Sequence, residues 1–176
     1  MCILTKEEIL KEIHAGHIVV DPFRPECVGP ASIDLHLSSA FRIFHSPRKI
    51  MKVTDDGDYR DITYGVCLAE GESILLMPNE TILGITEEKI TLPENICGWL
   101  EGRSKFARMG LLVHISASFM QPGISNHQVL EMSNFGPVPL DIYPKTSVCQ
   151  FIFQKTLGNA RYQGSFRNQC PKEFAG

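Results

Sequence analysis

The sequence predicts a mainly β protein, a sandwich or barrel of short strands with a short N-terminal helix and one or two further short helices. Three observations carry this. Short apolar runs recur at Ile33–Leu37, Phe41–Phe44, Gly65–Leu68, Ser73–Met77, Thr81–Thr86, Ile96–Leu100, Leu111–Ser116, Gln128–Met132, Leu140–Tyr143 and Ser147–Phe153. Turn pairs separate them, among them Asp56-Gly57, Glu70-Gly71, Pro78-Asn79, Pro93-Glu94, Pro122-Gly123 and Gly136-Pro137. Inside the runs apolar and polar residues alternate, as Ile33, Leu35 and Leu37 do with Asp34 and His36. A period of two marks a strand with one buried face.

The elements follow in order. Thr5 and Glu8 have the spacing of a capping box, and Leu4 and Ile9 that of a hydrophobic staple. Ile9, Leu10 and Ile13 make one apolar stripe and Gly16 is a natural stop, so a helix of about ten residues is expected to pack one face. His17–Val20 opens the β pattern, and the charged stretch Arg48–Asp61 reads as a loop or hairpin tip. Gly102–Gly110 lacks alternation and has glycine at both ends. It reads as a short helix with Ser104 as N-cap and with Phe106 and Met109 facing the core. Residues 158–176 are polar and read as a flexible tail, and no repeat or boundary divides residues 1–176, which read as one domain.

Composition narrows the partners. The apolar fraction of 43% is ordinary for a globular chain. Lys+Arg 17 against Asp+Glu 20 gives a net charge of −3, so no broad basic surface for polymeric nucleic acid is expected. A small anion needs only a local positive cluster. Cys2, Cys27, Cys67, Cys97, Cys149 and Cys170 form no CxxC pair and read as reduced thiols of a cytoplasmic protein. The opening MCILTKEEIL turns charged after four residues, unlike a secretory leader, and no apolar run approaches the roughly 20 residues that cross a bilayer. No membrane partner is expected.

Neither the GxxxxGK(S/T) phosphate loop nor a GxGxxG after a strand is present, and the zinc-deaminase pattern H-x-E with P-C-x-x-C is missing. The histidines show no ligand spacing; His36 and His114 read as structural strand residues. A constellation remains: the Gly102–Gly110 turn, then His114-Ile115-Ser116-Ala117, Gln121-Pro122-Gly123 and Val129–Asn134. Arg103, Lys105 and Arg108 put positive charge beside a helix start, which suits an anion. Glu131 lies between apolar neighbours. It reads either as an outward, solvated strand residue or as a half-buried carboxyl with a raised pKa, suited to general base work.

The stretch GWLEGRSKFARMGLLVHISASFMQPGISNHQVLEMSN resembles the core of the dCTP deaminases, which read close to GRSSLARLGL-HxTAxxxDPGxxGxxxLExxN. VGPASIDLHLSSAFRIF resembles the family's G-P-(A/S)-S-x-D-L-x-L-G, and the likeness spans roughly residues 5–165. The resemblance implies a dUTPase-like distorted jelly roll, a homotrimer with active sites shared between subunits, and a magnesium–dCTP complex as substrate, without zinc or any other protein-bound metal. It implies Glu131 as general acid/base, with Ser104 and the Ala117 backbone holding the attacking water and Arg108 supporting charge. It places Arg103, Ser104 and Lys105 at phosphate, with Phe106 and Ala107 in the same substrate-binding turn. It further places Gln121 by the sugar, Val129, Leu130 and Glu131 along the base edge, Gln150 near the nucleotide, and Arg161-Tyr162-Gln163 in a tail over the triphosphate.

The departures also bear on function. Gln121 stands for the family's usual Asp, Lys105 for a second serine, Ile124 for an aromatic residue, Asn126 for a glycine, Ser116 for threonine and Arg161 for lysine. Gln121 argues against onward hydrolysis of the triphosphate; Phe119, the LExSN wording and Gln150 resemble members that deaminate and hydrolyse. Three functions follow: a dCTP deaminase forming dUTP or dUMP for thymidylate synthesis, a dUTPase of the same fold, or a non-catalytic deoxynucleotide binder.

Overall fold

The structure is a computed structural model that describes residues 2–45, 50–164, 166–167 and 169–176. In chain order the described elements are β1 (Cys2–Ile3), α1 (Lys6–His14), β2 (Val19–Asp21), β3 (Ile33–Leu35), β4 (Leu37–Phe44), β5 (Thr63–Cys67), β6 (Ile74–Leu76) and β7 (Thr81–Thr91). Then come β8 (Ile96–Gly102), α2 (Ser104–Ala107), β9 (Leu111–Val113), β10 (Phe119–Met120), β11 (Ser125–Asn134), β12 (Leu140–Ile142), β13 (Cys149–Lys155) and α3 (Pro171–Phe174). The named strand pairs are antiparallel. One sheet runs β1-β13-β8-β10 with β3 also on β13; a second runs β5-β4-β7-β11-β9 with β2 also on β7; β6 and β12 pair separately.

The alternation read from the sequence is what joins the sheets. Ile33, Leu35, Leu100, Phe151 and Phe153 of the first meet Phe41, Ile90, Leu130 and Met132 of the second in one core, with Leu76 and Ile142 beside them. Each such fully buried side chain contributes roughly 1.5–3 kcal/mol. Leu4 and Ile9 enter the same core and seat α1. Thr5 is the N-cap of α1 but makes no side-chain cap bond, so the expected capping box is absent and the buried staple anchors the helix. Gly16, at φ 72, stops the chain's helical turn as expected, its N–H donating to Ile13 O.

Several boundaries moved for identifiable reasons. β7 continues through Glu87-Glu88-Lys89, whose charges hid it. Glu88 is buried there because Arg24 Nη1 donates to its Oε1 at 2.7 Å and His36 Nδ1 lies 2.6 Å from the same oxygen. His36 is thus a satisfied structural histidine, as read. β1 and β10 are too short to show a period. Arg103, not Ser104, occupies the N-cap of α2; Phe106 packs on the core, but Met109 is 52% exposed. Arg48 and Lys49 of the expected loop lie outside the described residues, and its far end closes in a 3-10 turn at Tyr59–Ile62.

The end of the chain is tied down more firmly than its composition suggests. Ala160 N–H donates to Glu94 O and Tyr162 N–H to Pro122 O. Phe174 of α3 is buried against Ala40, Leu83 and Ile85. The buried Arg42 donates to Phe174 O at 2.7 Å. A single aromatic residue and one guanidinium do what polar composition concealed. The six cysteines are free thiols, and no described helix is long and apolar enough to cross a membrane.

Candidate active site

A cleft of about 500 Å³ opens along β11. Asn126, Gln128, Val129 and Glu131 form one wall. Residues of both parities face it because the pairing of β11 with β7 shifts register between His127 and Val129. The segment between β9 and β11 supplies His114, Ala117, Phe119 and Gln121, and the C-terminal segment supplies Tyr162, Phe166 and Gln169. Phe119 stands against Trp99 with ring centroids 5.6 Å apart.

Glu131 is held by His114. β9 ends where His114 takes φ 58, a left-handed conformation that costs a non-glycine residue roughly 1–2 kcal/mol. The backbone N–H of His114 donates to Glu131 O at 2.8 Å, and its Nδ1 lies 2.9 Å from Glu131 Oε2. That side-chain contact is short but out of line for a hydrogen bond, and neither atom has another partner among the described residues. On the other side of the ring, Nε2 lies 2.9 Å from Ala117 O. A carbonyl only accepts, so Nε2 carries a proton. Nδ1 is thereby turned toward the carboxyl. Burial pushes the Glu131 carboxyl up, but the His114 contact, its charge and a backbone N–H pull harder, and the net lies below the ordinary carboxylate value. The expected raised pKa is therefore corrected: the opposing imidazole outweighs desolvation. Glu131 is half-buried, its side chain 38% exposed, and is neither a solvated strand residue nor a sealed one.

The residues expected at one site fall into two groups within the chain. Ala117, Gln121, Val129, Glu131 and Tyr162 line the cleft. The side chain of Leu130 points into the core, leaving only its backbone for any contact. Arg103, Ser104, Lys105, Phe106, Ala107 and Arg108 do not line this cleft. Ser104, Lys105, Ala107 and Arg108 are exposed on and just after α2. Arg103 is engaged with Asp34 at 2.9 Å and with Ser147. Gln150, opposite Asp34 and Glu101 in the sheet, accepts from Ser32 Oγ and shares that second region. Arg161 packs on Gly123, whose φ of 71 shapes the turn after Gln121, and Gln163 is exposed. Among the described residues no group of three or more His, Cys, Asp or Glu is arranged to hold a metal ion.

Sequence reasoning missed His114 as a partner of the carboxylate. An alternating pattern shows only that a histidine faces inward, not what it meets. Asn126, Gln128, Phe166 and Gln169 were missed too, because nothing local reveals that the C-terminal segment returns to β11. There Asn126 Nδ2 donates to Phe166 O at 2.7 Å and His127 N–H to Gln169 O at 3.3 Å.

A family description, dCTP deaminase-like, matches residues 3–156. The chain belongs to the dCTP deaminase-like family. A protein of Nocardioides sp. described as "dCTP deaminase, dUMP-forming" is 35% identical over 174 residues, 95% of this chain and 91% of its own. One of Mycolicibacterium vanbaalenii with the same description is 37% identical over 160 residues, 91% of this chain and 84% of its own. The crystal structure of 2'-deoxycytidine 5'-triphosphate deaminase from Agrobacterium tumefaciens matches with a TM-score of 0.67 at 17% identity, over 88% of this chain and 48% of that one. That likeness shows the fold and agrees with the expected mainly β, dUTPase-like jelly roll.

Proposed function

We propose that this protein is a dCTP deaminase that acts on the magnesium complex of dCTP, forms dUTP and ammonia, and carries the product on to dUMP and pyrophosphate, feeding thymidylate synthesis. The single observation that carries the reading is the Glu131–His114–Ala117 arrangement in the wall of a nucleoside-sized cleft. Glu131, ionised at neutral pH, takes a proton from water, and the oxygen adds to C4 of cytosine. Glu131 returns the proton to the 4-amino group, the C4–N bond breaks and ammonia leaves. Ala117 O holds the water alongside His114, a carbonyl having two lone pairs. No zinc is required in this scheme.

The other half of the machinery stands on α2. Ser104 and Arg108 are exposed and away from the cleft, so we infer that they enter the site of a neighbouring subunit in a homotrimer, Arg108 countering charge at C4 and Arg103 to Lys105 holding phosphate. Gln150 and the Arg161–Gln163 segment approach the triphosphate. We read residues 1–176 as one catalytic domain working in the cytoplasm. The names of the relatives favour onward hydrolysis to dUMP. Gln121 favours a second reading, release of dUTP, because an amide cannot serve as a base for the second water.

Ammonia release from magnesium–dCTP after zinc chelation, with products followed by phosphorus NMR, tests all of this. Glu131→Gln is expected to lower the rate by about 10²–10⁴-fold. Undiminished release by that variant would sink the mechanism. Pyrophosphate from dUTP without ammonia from dCTP would mean a dUTPase, and thermal stabilisation by dCTP without turnover a binding protein.

A further inference from the structure

Two carboxamides stand buried on β11 in the wall of the cleft, Asn126 at 6% and Gln128 at 3% exposure. Their orientations are forced by an acceptor at one end. Phe166 O only accepts, so the Asn126 amide presents Nδ2 to it, at 2.7 Å. Asn126 Oδ1 is thereby turned to Gln128, whose Nε2 donates to it at 2.7 Å and to Asn126 O at 3.0 Å. Both Nε2 hydrogens are used. Reversing either amide would set like groups against each other in a buried place, which is costly. Gln128 Oε1 is left as a fixed acceptor, with no donor to it among the described residues. Gln121, exposed in the same cleft, has no such constraint on its amide.

We propose that Gln128 determines sugar specificity by accepting a hydrogen bond from the 3′-hydroxyl of the bound nucleotide. The inference rests on the deaminase reading above. A deoxycytidine triphosphate has two kinds of hydrogen-bond donor, the 4-amino group and the 3′-hydroxyl; its phosphates only accept. The amino group belongs at Glu131, where C4 reacts. Gln128 is three residues back along β11, roughly 10 Å by strand rise. That spacing suits a nucleoside laid along the strand with its base at Glu131 and its sugar at Gln128. The relay also ties the sugar contact to the C-terminal segment, since Phe166 O sets the whole chain of orientations.

Calorimetric binding of magnesium–dCTP and magnesium–2′,3′-dideoxy-CTP, each in a Glu131→Gln background to prevent turnover, tests this. With Gln128 present, loss of the 3′-hydroxyl is expected to weaken binding about tenfold, the worth of one buried hydrogen bond. In Gln128→Met the ratio falls to less than about twofold. Asn126→Ser, which keeps Gln128 but frees its amide to turn, narrows the ratio as well and decides the matter should Gln128→Met not fold. An unchanged ratio in both variants overturns the proposal while leaving the deaminase reading intact. Failure of dCTP to bind the unaltered chain refutes the deaminase reading itself.

Discussion

Phe174→Ala probes how the far end of the chain supports the cleft. Phe174 is 5% exposed and packs on Ala40, Leu83 and Ile85. Truncating a core phenylalanine costs about 3–5 kcal/mol. A four-residue helix at the end of the described chain relaxes readily, so the lower figure of about 3 kcal/mol applies. The remaining bonds, from Arg42 to Phe174 O and Gly176 O, are worth roughly 1–3 kcal/mol together. They are too weak to hold α3 alone. The helix is expected to detach, and the cleft wall at Tyr162, Phe166 and Gln169 to loosen with it. Tm then falls by about 6–12 °C for a chain of this size. Trypsin cleaves faster at Arg161, Arg167 and Lys172. On the reading that Tyr162 meets the bound nucleotide, losing that contact costs about 0.5–1.5 kcal/mol and raises KM for dCTP roughly two- to thirteenfold with kcat less affected. A variant with wild-type Tm and wild-type trypsin sensitivity would show that α3 does not brace the cleft.

Other outcomes follow from single contacts. His114→Asn removes the contact and charge that lower the Glu131 pKa and leaves burial, so the acid limb of the kcat/KM profile for dCTP moves to higher pH; an unmoved limb refutes His114 as the group that holds the Glu131 pKa down. Asn134→Ala strips bonds from Asn134 Nδ2 to Leu76 O and Val138 O and from Gly136 N–H to Asn134 Oδ1, and is expected to cost about 3 kcal/mol in urea unfolding. Gly98→Ala drives a methyl into the Phe151 ring and Ile152 O, costing roughly 1–3 kcal/mol by the same measurement. Glu12 is lowered by its bond from His17, against burial, and by Lys155; its stabilisation is present above the unfolded carboxylate pKa and lost as pH falls through the folded one. Glu12→Gln therefore lowers Tm at pH 7, and the difference shrinks below about pH 4.

The sequence alone determined the class of fold, because alternation of apolar residues and the glycine and proline turns between runs are local properties. It also determined family membership, through the wording around Gly102–Asn134. Asn134 in that wording proved to be a structural hub that ties β11 to the Leu76 and Val138 carbonyls. What only the tertiary structure decided lies between residues distant in the chain. It paired Glu131 with His114, and so reversed the direction of the expected pKa shift. It closed the amide relay to Gln128 through the Phe166–Asn126 bond, which spans forty residues. It separated α2 from the cleft of its own chain. Periodicity reports whether a side chain faces in or out; which group it meets, and with what proton, depends on contacts that long loops bring together.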